Sequence, residues 1–160
     1  MRRPAGPYYC DCHWNSDITM SINDGGNNQP QSVWTFDRFK TGEHIGRSTQ
    51  TIDQQTADRW HALYKSPHKE GGLPYGFVQL IVMRAYAEVV KPRPPSNIHA
   101  AYSCRLAALP SLAREIQASV DCAEKYLRGE RKMVKFEVTV SDVETGNFLC
   151  IANLAICWSI

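Results

Sequence analysis

The sequence has no excess of either charge: in 160 residues, 18 Lys and Arg face 16 Asp and Glu, a formal net charge of +2 at neutral pH. So balanced a chain carries no field strong enough to hold a polyanion, and neither nucleic acid nor a membrane is an expected partner. No hydrophobic run approaches the roughly 18 residues of a membrane span. Arg2 and Arg3 are not followed by the apolar stretch of a secretion signal, so a cytoplasmic protein is the expectation. Of six cysteines, Cys104, Cys122, Cys150 and Cys157 fall within apolar, strand-like runs, where a reduced thiol behaves as a small hydrophobe. A reducing compartment follows. The other two belong to Cys10-Asp11-Cys12-His13, which lacks the Cys-x2-Cys spacing and second ligand pair of a zinc site. No metal and no cofactor is expected.

What is present is an ordinary globular composition, 43% hydrophobic and 21% charged. A chain of this length can bury about two thirds of its unfolded surface without staples. Residues 1–32 show little periodicity and contain Gly25-Gly26-Asn27-Asn28-Gln29-Pro30, so they read as an N-terminal arm, flexible or loosely docked. Residues 33–160 form one domain. Its apolar lead-in, Val33-Trp34-Thr35-Phe36-Asp37-Arg38-Phe39, precedes a turn at Thr41-Gly42-Glu43 and a strand over 45–52. Asp53 then caps a short helix from Gln54 to Tyr64, on which Trp60 and Tyr64 lie one turn apart. The proline- and glycine-containing segment 66–74 reads as a loop. Residues 76–90 form a long helix, apolar except at Gln79, Arg84 and Glu88, which demands burial on nearly every side. Lys91-Pro92-Arg93-Pro94-Pro95 stops it.

The second half alternates with period two. Ile98, Ala100, Tyr102, Cys104 and Leu106 set against His99, Ala101, Ser103 and Arg105 predict one strand. Ile116, Ala118, Val120 and Cys122 predict a second, Val134, Phe136, Val138 and Val140 a third, and Phe148 to Trp158 a fourth. Leu127-Arg128-Gly129-Glu130 marks a hairpin turn. One long apolar helix followed by antiparallel strands with a single apolar face each predicts an α+β hotdog fold, a curved antiparallel sheet wrapped around one long buried helix. Such a sheet covers only one side of the helix, so at least a homodimer is expected.

In the order and spacing of these pieces, residues 36–158 resemble the MaoC-like (R)-specific enoyl-thioester hydratases and dehydratases of the hotdog superfamily. The resemblance rests on Phe36-Asp37-Arg38-Phe39-Lys40-Thr41-Gly42-Glu43, the strand into Asp53, the helix ending Trp60-His61-Ala62-Leu63, and the helix start Pro74-Tyr75-Gly76-Phe77. It implies a lyase that adds water to, or removes it from, an enoyl or 3-hydroxyacyl thioester carried by coenzyme A or an acyl carrier protein. The family's Gly-Asp-x-Asn-Pro-x-His segment, whose Asp and His perform acid/base work, is not intact. Here the text runs Tyr64-Lys65-Ser66-Pro67-His68-Lys69-Glu70: Ser66 stands where the Asp would be, and Tyr75 replaces the His before Gly76.

The resemblance carries Gly76 over as the residue whose N–H, at a helix N-terminus, stabilises the enolate oxygen of the reacting thioester. A turn after Pro74 would equally call for glycine. Ser66 and Phe77 join it as candidate substrate-binding residues. His68, eight residues before Gly76, resembles the loop histidine of the beta-hydroxyacyl-carrier-protein dehydratases and could abstract the alpha proton; a solvated loop histidine is the plainer reading. That second branch's acidic helix residue has no counterpart, because Ile81 occupies its position. Glu70 could protonate a departing hydroxyl, Tyr75 could donate a hydrogen bond, and His61 on the short helix could face the cleft. His99 and Arg105 share the polar parity of their strand, as surface groups or as contacts for a pantetheine phosphate. The altered loop leaves room for other outcomes: a non-catalytic hotdog subunit, or a proton-transfer enzyme, isomerase or cyclase, acting on a polyketide-like substrate.

Overall fold

The computed structural model describes residues 32–64 and 73–159. The proposed arm and the Cys10–His13 cluster therefore lie outside the described residues. After a 3-10 turn at Phe36–Arg38 come strand β1 (Glu43–Thr51), helix α1 (Gln54–Tyr64), helix α2 (Tyr75–Val89), and strands β2 (Ile98–Leu106), β3 (Glu115–Arg128), β4 (Arg131–Asp142) and β5 (Phe148–Trp158). The five strands form one antiparallel sheet in the order β1-β3-β4-β5-β2. Two hydrophobic periods write this architecture. Residues 77, 78, 81, 82 and 85 bring one helical face of α2 to the sheet, and alternate residues of β3, β4 and β5 bring one sheet face to α2.

The core between them is dry and apolar. Phe77, Ile81 and Val82 meet Ile116, Val120, Phe136, Val138 and Leu154, each at most 1% exposed. Each such side chain contributes about 1.5–3 kcal/mol by leaving water. Phe136 is at the centre of an aromatic cluster with Phe39 (ring centroids 5.3 Å apart), Tyr86 (5.2 Å) and Trp158 (6.2 Å). Trp158 ties that cluster to the start of the domain by donating from Nε1 to the Trp34 carbonyl at 2.9 Å. The Gln79, Arg84 and Glu88 interruptions noted in the sequence are, with Tyr75 at its start, the exposed positions of α2.

Coverage of the sheet is uneven. Helix α2 packs chiefly over β1, β3 and β4, and it reaches into β1 with hydrogen bonds as well as packing. Ser48 Oγ donates to Glu88 Oε2 at 2.5 Å, and Gln50 Nε2 donates to the Ile81 carbonyl at 2.8 Å. Strand β2, at the opposite edge, is exposed along most of its length, with Ile98 62% and Leu106 39% accessible. A β-bulge between His99 and Ala101 changes its alternation. Tyr102, Cys104 and Leu106 pair with Leu154, Ala152 and Cys150 on the helix-facing side of the sheet, and His99, paired with Ile156, joins them there. Arg105, opposite Ile151, lies on the other face. The shared parity of His99 and Arg105 expected from simple alternation is thus corrected: the extra residue of a bulge inverts the facing of everything beyond it. The four cysteines of the described strands are free thiols, two of them fully buried.

Candidate functional site

The N-terminal turn of α2 is built against α1. Asp53 caps α1 by accepting from the Thr56 amide at 2.7 Å, and the hydrogen bonds from Thr56 hold its carboxyl below the usual range. The capped helix presents Trp60 to the start of α2, with its ring centroid 4.9 Å from Phe77 and 4.4 Å from Tyr64. The indole lies directly on Gly76. A Cβ at position 76 would sit 2.1 Å from Trp60 Cζ2 and 2.4 Å from Cη2, so no side chain fits there. The glycine is thus required by close packing of one helix on the other, a reason that neither the turn nor the oxyanion reading contained.

Around this turn two enclosed side-chain donors have no acceptor among the described residues. Amides in the first turn of a helix have no i−4 partner; Phe77 N–H finds the Pro74 carbonyl at 2.9 Å, and the Gly76 amide precedes it. Trp60 Nε1 is fully enclosed without a hydrogen-bond partner among the described residues. So is the hydroxyl of Tyr102, which reaches in from β2. Tyr75, the first residue of α2, stands at the same place, with Tyr102, Cys104 and Cys150 as its electrostatic neighbours. Desolvation, reinforced by the Cys104 thiol, raises the Tyr75 hydroxyl above the ordinary tyrosine range. Burial, again with Cys104 and then Tyr75, holds Tyr102 far above it. Cys150 is pushed up to about 12, first by burial and then by Cys104. All three groups therefore stay protonated at neutral pH: they donate hydrogen bonds and do not act as bases.

Of the residues singled out from the sequence, Tyr75, Gly76 and Phe77 come together here, with His61 half-buried on the adjoining α1. Phe77 is a core residue, 0% exposed, with its amide already bonded. Ser66, His68 and Glu70 lie outside the described residues, in the segment connecting α1 to α2. Tyr102, Cys104 and Cys150 were not anticipated as site residues. In a sequence they are the apolar phase of two strands, and only the order β4-β5-β2, which leaves β2 beyond the reach of α2, turns them toward the helix N-terminus.

A second polar cluster has the residue types of nucleophilic catalysis without the geometry. On the opposite face, His44 Nδ1 lies 2.8 Å from Asp121 Oδ1, and Ser119 Oγ lies 3.4 Å from the same nitrogen. A relay needs the hydroxyl and the carboxylate on different ring nitrogens. Here both lie against Nδ1, so the group is an exposed, hydrogen-bonded surface cluster. Among the described residues no cluster of three or more His, Cys, Asp or Glu could hold a metal ion, and no helix is long and apolar enough to cross a membrane.

No family model matches the chain, and no curated protein is significantly similar to it. Solved structures are. The chain superposes on R-hydratase PhaJ1 from Pseudomonas aeruginosa with a TM-score of 0.63 at 14% identity, covering 77% of this chain and 84% of that one. The MaoC-like dehydratase from Rhodospirillum rubrum gives 0.64 at 10% identity, with 78% and 96% covered. A hypothetical thioesterase from Streptococcus pneumoniae gives 0.52 at 12% identity, with 75% and 87% covered. The fold is the α+β hotdog expected from the sequence, and its structural neighbours are MaoC-like dehydratases and (R)-hydratases, with thioesterases built on the same frame.

Proposed function

We propose that the chain is a lyase that hydrates or dehydrates a 2-enoyl/3-hydroxyacyl thioester on coenzyme A or an acyl carrier protein, working as a homodimer in the cytoplasm. The observation that carries this reading is the pair of enclosed, unpartnered donors beside the start of α2, Trp60 Nε1 and the Tyr102 hydroxyl, which stand next to the Gly76 amide and the exposed Tyr75 phenol. Moving a proton at the alpha carbon of a thioester places negative charge on its carbonyl oxygen. Enclosed donors that give up no other hydrogen bond stabilise that charge most. Because the phenols stay protonated, the base comes from elsewhere. His68 takes that role, with Glu70 giving a proton to the leaving hydroxyl and Ser66 binding substrate; His61 is the alternative base on α1. Edge strand β2 supports the dimer: it is unpaired on its outer side and exposes Ile98 and Leu106, a template for the same strand of a second copy.

The test follows the loss of conjugated enoyl absorbance when the protein meets trans-2-enoyl-coenzyme A, beside His68→Ala and Glu70→Ala, with free thiol assayed in the same cuvette. Hydration that collapses in His68→Ala supports the proposal. Loss of absorbance matched by free thiol moves the chain to the thioesterases that share its fold, because hydrolysis also breaks the conjugation of the enoyl group with the thioester. A folded dimer that does neither contradicts an enzymatic role on these substrates and favours a non-catalytic subunit.

A further inference from the structure

One cavity in the structure is not part of the donor cluster but adjoins it through His99, whose ring meets that of Tyr102. It lies between the C-terminal half of α2 and the start of β2, has a volume of about 330 Å³, and is walled by Met83, Ala87, Pro94 and Ile156. The polar groups in its lining belong to Tyr86, Arg93, Ser96, Asn97 and His99, and no Asp or Glu lines it. The bulge in β2 turns His99 into this space. Its ring stands edge-on to that of Tyr102, whose hydroxyl belongs to the donor cluster, with centroids 6.3 Å apart. The guanidinium of Arg93 lies 4.9 Å over the ring of Tyr86 and takes part in none of the ion pairs among the described residues. Asn97 is oriented by the Ser159 amide, which donates to its Oδ1 at 2.9 Å; that leaves Nδ2 as the free end, enclosed and without a partner.

Arg93 brings a fixed positive charge and Asn97 Nδ2 an unpartnered donor to a largely apolar lining that holds no carboxylate. We infer that the cavity receives a carboxylate at the far end of the acyl chain, so that the substrate class is an ω-carboxyacyl thioester. The inference deepens the proposed hydratase reading and rests on it. The cavity is placed suitably: from Gly76 to Met83 the helix rises roughly 10 Å, so a thioester held at the first turn of α2 directs a chain of medium length past Tyr102 toward Arg93. A guanidinium grips a carboxylate with two parallel hydrogen bonds, and the Asn97 amide supplies a third donor. A methyl terminus in the same place would leave the Arg93 and Asn97 donors desolvated and unpaired. That asymmetry is what makes sites built for a polar group reject the analogue lacking it.

The test compares matched pairs of saturated acyl-coenzyme A and ω-carboxyacyl-coenzyme A, equal in carbon number and taken over a series of chain lengths, by titration calorimetry with wild type and Arg93→Gln. Saturated chains cannot be hydrated, so binding is read apart from the proposed reaction. The expected result is that the carboxylated member binds about tenfold to a hundredfold more tightly at the best chain length. Arg93→Gln should abolish that preference and leave the methyl-terminated member unaffected. Equal affinity for both members in the wild type overturns the inference while the thioester reading stands. If Arg93→Gln weakens both members alike, Arg93 holds a phosphate of the carrier and the inference is also overturned. A folded protein that binds neither member overturns the thioester reading, and the inference with it.

Discussion

The two halves of the sheet differ in what faces their concave side. Beneath α2, strands β1, β3 and β4 are covered by interlocking apolar side chains, and the polar groups there, Ser48 and Gln50, hydrogen-bond to the helix. Toward β2, beyond the helix, the same face carries phenols, thiols, an imidazole and donors without acceptors. The covered half has most of its bonds made, Gln50 Oε1 excepted, and supplies rigidity. The open half leaves bonds unmade, at a cost of about 1–3 kcal/mol for each enclosed, unsatisfied group. A fold keeps such groups when a ligand completes them, which is why the open half is read as the site.

Substitutions sharpen this contrast. The largest effect is expected for Phe136→Ala in the covered half: a fully buried ring in contact with three aromatic neighbours is lost, and urea unfolding should show a destabilisation of about 3–5 kcal/mol. Gly76→Ala, at the junction of the halves, forces the Trp60 indole off the start of α2. A loss of about 1–3 kcal/mol is expected from overpacking, and Trp60→Leu in the same chain should recover part of it. A Gly76→Ala protein as stable as wild type would mean that the indole moves freely and does not set the position of the helix. The smallest effect belongs to Ser96, which holds a φ of 68° beside the cavity. Ser96→Gly relieves that left-handed backbone and should stabilise by up to about 1 kcal/mol in the same unfolding assay, offset in part by the greater freedom of glycine in the unfolded chain.

Much of the fold was legible in the sequence because its two periods are clean. The alternation of Val134, Phe136, Val138 and Val140 and the helical face of 77, 78, 81, 82 and 85 each had one geometric solution. The end of α1 at Tyr64 and the last strand, Phe148–Trp158, lie where sequence reading put them. The site was legible only in part. Tyr75 and Gly76 stand out beside a proline at a helix start, but the need for Gly76 comes from Trp60, which lies 16 residues earlier. Tyr102 and Cys104 look like core because alternation reports which face a residue takes and says nothing of whether a helix covers that part of the face. His99 was assigned to the wrong face because a bulge adds one residue without altering the composition around it.

The central claim is that the unpaired donors of the open half serve chemistry rather than stability, and Tyr102→Phe tests it most directly. The substitution removes one enclosed, unpartnered hydroxyl and leaves the ring in place. Stability to urea and turnover of trans-2-enoyl-coenzyme A would be measured on the same preparation. The expected result is a protein at least as stable as wild type, by up to about 1 kcal/mol, whose turnover falls about a hundredfold. A variant that loses stability and keeps its turnover would contradict the account, because Tyr102 would then belong to the core.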